Sequence, residues 1–131
     1  MSLVQEYESL RRVPFFAEIE PAKLKLLAFM SERVGFDHGK VLFQPCAACH
    51  SERPEALGPS LKGVFGRKSA ALDEFRYSNP MKRANLVWDE DNLRAYIHDP
   101  QGKVKGNRMP FGGMNDLKDV DDVVAYLKTL K

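Results

Sequence analysis

Five consecutive residues, Cys46-Ala47-Ala48-Cys49-His50, constrain this chain more than any other stretch. C-x-x-C-H is the attachment signature of a c-type haem. The spacing follows from the chemistry: each thiol adds across one vinyl group, and the two vinyls sit on neighbouring pyrroles. Two intervening residues let one turn of backbone present both sulfurs to the same ring edge, and the histidine that follows falls under the ring to ligate iron. Two plainer readings stand beside this one. A zinc half-site would need further ligands in tetrahedral array, and only His38 and His98 remain, with no other cysteine. A thiol redox pair belongs in a βαβ setting, and the chain has no such pattern.

Length and composition bound the rest. At 131 residues the chain forms one domain, or one domain with an appendage. A hydrophobic share of 44% and a charged share of 29% are those of a globular chain. A formal charge of +2 and the lack of a long basic run argue against a nucleic-acid partner. No stretch reaches membrane-spanning length. Both cysteines lie in the motif, so no disulfide framework is implied if both carry haem. Covalent haem attachment in bacteria takes place outside the cytoplasm, yet Met1–Leu10 is polar and has no apolar core of a leader. The expected location is therefore the periplasm, with a leader absent from this chain.

The patterning predicts helices. Tyr7–Val13 reads as a short amphipathic helix, followed by a turn at Pro14-Phe15-Phe16. A second helix starts near Glu20 or Pro21, where proline suits the first turn. Leu24, Leu27 and Met30, with Ala28, are its expected buried stripe. Gly39–Cys46 reads as a short helix delivering the haem motif, with Pro45 ending or kinking it. Asp89–His98 is a helix capped by Asp89, with Leu93, Tyr96 and Ile97 on its apolar face. Pro100–Gly113 follows as a segment carrying Met109. Asn115 or Asp116 caps a last helix carrying Val120, Val123, Val124, Tyr126, Leu127 and Leu130.

Two resemblances add to this. Residues 1–36 are similar to the opening of the cyclic-nucleotide-binding domain family: Leu10-Arg-Arg-Val-Pro-Phe-Phe16, Pro21-Ala-Lys-Leu24 and Val34-Gly-Phe36 carry the likeness. The chain turns into C-x-x-C-H before any phosphate cassette, so no cyclic nucleotide is expected. A helical extension that packs on the haem unit, or on a second copy to make a homodimer through residues 1–36, is the simpler expectation. From about Gly39 to Lys131 the chain resembles a class I cytochrome c of the bacterial c2 and mitochondrial kind. Gly39, Phe43, Cys46, Cys49 and His50 match its first motif, Gly58-Pro-Ser-Leu-Lys-Gly63 its loop, and Gly106-Asn-Arg-Met-Pro-Phe111 its second-ligand segment.

That resemblance implies an all-α class I cytochrome c fold, helices wrapped around a covalent haem, with a helical N-terminal extension over 1–37 and the cytochrome domain over 38–131. It implies one haem c, bound through Cys46 and Cys49, with His50 and Met109 as iron ligands. Pro59 would accept a hydrogen bond from His50, the usual way a ligand histidine is oriented. Leu61 and Phe111 would lie against the ring. Arg67, Tyr77 and Trp88 would serve a buried propionate, which is costly to leave without donors. Tyr96 would sit beside the axial sulfur. Arg67 read by itself is a solvated loop charge, and Trp88 and Tyr96 read by themselves are core aromatics. Met114 and, more weakly, Met81 compete with Met109, and the flanking Gly106 and Pro110 favour Met109. The implied role is an electron carrier rather than an enzyme, with redox proteins as partners, steered by Lys62, Lys82, Lys103, Lys105 and Arg108. An open sixth position would instead make a gas sensor or a peroxidase-like module.

Overall fold

The computed structural model describes residues 21–131. The expected Tyr7–Val13 helix and the Pro14-Phe15-Phe16 turn lie outside the described residues, as does the Leu10–Phe16 part of the first resemblance. The described residues form six helices: α1 (Pro21–Leu42), α2 (Gln44–Cys49), α3 (Asn79–Ala84), α4 (Glu90–His98), α5 (Pro100–Lys103) and α6 (Leu117–Leu127). No strand occurs among them; one antiparallel bridge joins Lys68 to Val87.

Helix α1 is continuous over 22 residues, about 33 Å of axis. It runs through positions 37 and 38 without a break, so the second predicted helix and the helix leading to the haem motif are one element. Its buried residues are Leu24, Ala28 and Gly39. Leu27 and Met30, expected in the stripe, are 40% and 54% exposed. The reason is geometric: at 3.6 residues per turn Ala28 lies about 40° to one side of Leu24, whereas Leu27 lies about 60° to the other side and Met30 about 120° round the helix. Proline 45 ends α1, as its missing N–H requires. The chain turns at Phe43 and restarts as α2 with the proline in its first turn.

Helix α6 supplies the centre of the core. Val120, Val123 and Val124 are at most 1% exposed, and Leu127 is buried with them. Burying each such side chain is worth about 1.5–3 kcal/mol. Leu93 and Tyr96 of α4, with Val64, Trp88 and Val104 from connecting segments, complete the cluster. Helix α1 crosses α6 closely at Gly39, where an added Cβ would lie 2.0 Å from the carbonyl oxygen of Asp122. Beside this crossing the rings of Phe36 and Phe43 pack on Tyr126, with centroids 5.7 and 5.0 Å apart.

Caps fix the element starts. Asp89 accepts from the Asn92 amide at 2.8 Å to begin α4, and Asp116 accepts from Lys118 to begin α6. Ser78 caps α3, which takes Pro80 into its first turn. A short helical turn follows α4: Asp99 caps the Gly102 amide and Pro100 opens α5. The effect is to hold the 104–113 segment against the core at Val104 and Asn107, both buried.

Candidate haem site

A cavity of about 510 Å³ opens between α2, the 56–70 loop, α4 and the 107–111 segment. That volume lies within the range of small-molecule and cofactor sites. Cys46, Cys49 and His50 line it, at the end of α2, and Met109 lines it too. Both cysteines are free and half-buried. Burial pushes the Cys46 thiol above its ordinary value, so it stays protonated at neutral pH.

The His50 ring is fixed from two sides. Its Nδ1 lies 2.8 Å from the carbonyl oxygen of Pro59. A carbonyl only accepts, so Nδ1 carries the proton and Nε2 keeps its lone pair. The ring also rests on Gly58: an added Cβ there would come within 2.5 Å of Cε1 and 2.6 Å of Nδ1. Any larger residue at 58 would displace the imidazole. Burial lowers the His50 pKa foremost; the Pro59 hydrogen bond opposes this and the nearby Arg67 charge adds to it. The neutral form, which keeps a lone pair able to bind a metal, is thus favoured.

The methionines divide. Met81, Met109 and Met114 all pack against the core, but only Met81 and Met109 line the cavity; the Met114 amide donates to the Ile97 carbonyl. Met109 is held through its backbone: its amide donates to Asn107 Oδ1 at 2.9 Å. Asn107 is buried and its Nδ2 donates to the carbonyls of Pro100 and Val104, at 3.0 and 2.8 Å. Gln101 closes the same loop, accepting from the Gly106 amide and donating to the Asn107 carbonyl. Neither Asn107 nor Gln101 was among the sequence candidates. The available signal was a pair of amide side chains bracketing a Gly-containing turn.

The remaining candidates also line the cavity: Pro59, Leu61, Arg67, Tyr77, Trp88, Tyr96 and Phe111. Arg67 is neither a solvated charge nor wholly free for a ligand. Its guanidinium donates to the carbonyls of Ser60 at 2.8 Å and Lys62 at 3.1 Å, stitching the loop, and leaves its other N–H groups uncommitted. Tyr77 accepts from the Leu72 amide and keeps its own proton to donate. Trp88 is held by paired backbone bonds with Gly66 and Arg67, and its indole N–H has no protein partner among the described residues. Tyr96 packs on Trp88 with centroids 5.1 Å apart, and burial pushes its pKa up to about 12. His38 and His98 lie off the cavity. His98 bonds the Met114 carbonyl at 2.8 Å, and His38 pairs with Asp122.

A mostly apolar cavity with two adjacent thiols, an oriented imidazole lone pair and a thioether is the donor set that a haem c needs. The comparisons agree with this chemistry. The cytochrome c family profile matches residues 36–131. This chain belongs to the cytochrome c family. Cytochromes c bind one covalent haem c and carry electrons. Among similar proteins, cytochrome c2 iso-2 of Magnetospirillum fulvum is 46% identical over 90 residues, covering 67% of this chain and 94% of that protein. Cytochrome c2 of Blastochloris viridis is 41% identical, covering 69% and 73%. The solved structure of cytochrome cH from Methylobacterium extorquens superposes with a TM-score of 0.68 at 42% identity, covering 72% of this chain and 97% of that one. The all-α cytochrome c fold expected from the sequence is the fold observed. No helix among the described residues is long and apolar enough to cross a membrane.

Proposed function

We propose that this cytochrome c carries single electrons between redox proteins through a haem attached at Cys46 and Cys49 and ligated by His50 and Met109. Bound there, the haem supplies a one-electron ferric/ferrous couple. The observation that carries the reading is the His50–Pro59 hydrogen bond of 2.8 Å in a cavity that Met109 lines and Met114 does not. Pro59 holds the imidazole tautomer and raises its basicity. The soft Met109 thioether favours the lower oxidation state and raises the potential. Asn107 and Gln101 hold the Met109 backbone and limit its movement between oxidation states. Arg67, Tyr77 and Trp88 offer spare donors to a propionate carboxylate, which needs them when buried. Leu61, Tyr96 and Phe111 exclude water from the ring. With His50 and Met109 both as ligands, a bound haem would keep no position open for small-molecule chemistry.

Lys62, Lys82, Lys103, Lys105 and Arg108 are all exposed, which supports docking with acidic partner surfaces. The reading places the protein in a bacterial periplasm, because that is where bacterial haem attachment occurs. It assigns no cyclic nucleotide to residues 1–37, taken as a helical extension to the cytochrome domain of 38–131. Exposed Leu26, Phe29, Met30 and Val34 support a homodimer through residues 1–36; a monomeric mass by light scattering removes that part. The test of the whole is carbon monoxide added to reduced, haem-loaded protein without denaturant. The spectrum is expected to stay unchanged. Rapid CO binding would replace the carrier with the gas-sensor or peroxidase-like reading.

A further inference from the structure

We propose that His38, Asp119 and Asp122 form a binding site for one divalent transition-metal ion of the zinc class, bridging α1 and α6 away from the haem cavity. The three side chains come from two helices that close backbone contact holds together. Asp119 and Asp122, three apart on α6, share one face of that helix. His38 faces them from α1, one residue before the Gly39 crossing. His38 Nδ1 lies 2.9 Å from Asp122 Oδ2 and 3.8 Å from Asp119 Oδ1, and donor atoms of all three groups fall within 4.8 Å of one another. Zinc bonds to nitrogen and oxygen of about 2.0–2.2 Å put neighbouring donors of one coordination sphere about 3–4 Å apart. The cluster therefore needs only small side-chain adjustments to hold an ion.

The base of the site is well held. The Asp122 side chain is only 14% exposed, while Asp119 and His38, at 32% and 48%, leave an open side for water to complete the shell. Gly35 makes room for the Asp122 carboxylate: a Cβ there would lie 2.9 Å from its Oδ1. Charge points the same way. Asp121 is paired with Arg94 at 2.8 Å, but among the described residues Asp119 and Asp122 share His38 as their one ion-pair partner. A dication would neutralise both carboxylates. The ring would carry its proton on Nε2 and present the Nδ1 lone pair. An imidazole among the donors selects zinc, nickel or copper over magnesium and calcium. An ion bound across the first and last described helices stabilises the folded state by mass action.

The test is titration of Zn²⁺ alone into haem-loaded, chelator-treated protein, by calorimetry and by thermal unfolding. One equivalent is expected to bind and to raise the thermal midpoint. His38→Ala should abolish both effects, and Asp119→Asn should weaken binding at least tenfold. Asp119 makes no side-chain hydrogen bond among the described residues, so that variant is expected to fold; an unchanged haem spectrum checks folding in each case. His98→Ala, which alters the other exposed histidine, should bind as the parent does. Absence of saturable binding, undiminished binding in both His38→Ala and Asp119→Asn, or an equal response to Mg²⁺ would overturn the proposal.

Discussion

Substituting Gly39 by alanine tests the helix crossing on which the haem pocket is built. In an isolated helix the change is favourable by about 1 kcal/mol, because glycine loses more backbone freedom on folding. Here the new methyl would lie 2.0 Å from the Asp122 carbonyl oxygen, 2.6 Å from its carbon and 3.2 Å from the Val123 nitrogen. These are backbone atoms of α6 and cannot swing aside. A close carbon–oxygen contact needs about 3.3 Å, so the helices must separate locally by about 1.3 Å. Gaps of that size forfeit a quarter or more of the dispersion attraction at each affected contact. The affected contacts include Val123 and Val124, each 1% exposed, and the packing of Phe43 on Tyr126. Overpacking of this kind costs about 1–3 kcal/mol, with more at rigid sites. The backbone atoms of α6 cannot yield, so the upper end of about 3 kcal/mol applies, and after the helix-propensity gain of about 1 kcal/mol the net loss is about 2 kcal/mol. For a chain of this size that lowers the thermal midpoint by about 8 °C. Circular dichroism of the haem-loaded protein on heating, with guanidinium unfolding for the free energy, reads the difference. A midpoint equal to or above the parent's would refute the close crossing.

Two further outcomes follow from the site. Asn107→Ala leaves the Met109 amide without its acceptor, while the Pro100 and Val104 carbonyls keep one backbone bond each; a lost buried partner costs about 1–3 kcal/mol. The variant should unfold at lower denaturant and should weaken the spectroscopic signature of methionine ligation, whereas a purely structural asparagine would change only the unfolding midpoint. Tyr96 should resist ionisation until about pH 12, because burial raises its pKa. In the unfolded chain it ionises near 10, so its contribution to stability is full below about pH 10 and falls as pH rises towards 12. The loss reaches about 2–3 kcal/mol relative to Tyr96→Phe. A phenolate signal from Tyr96 appearing near pH 10 in the folded protein would contradict this.

What could be read in the sequence depended on how local the cause was. The C-x-x-C-H motif was legible because its chemistry is complete within five residues. The caps at Asp89 and Asp116 were legible for the same reason, since each satisfies an amide two or three residues away. Helix α1 reads as two pieces in the sequence, the second beginning at Gly39; glycine is a poor helix former, but tertiary packing at Gly39 overrides that preference. The position of Met109 rather than Met114 at the cavity came from a resemblance, since either thioether fills space equally well in a core. Asn107 and Gln101 escaped notice because their partners are carbonyls and amides of their own loop, whose shape no residue pattern specifies. Arg67 was read as serving either solvent or a ligand, and its bonds to two loop carbonyls appear only when the 60–67 turn is built.

The most direct test of His50/Met109 ligation is the absorption spectrum of oxidised protein, matured with haem-attachment machinery, in the parent, Met109→Ala and Met114→Ala. The account predicts the weak far-red band of methionine–ferric ligation in the parent and in Met114→Ala, and its loss in Met109→Ala. A band that survives Met109→Ala, or disappears with Met114→Ala, would contradict the assignment at the centre of the proposed electron carrier.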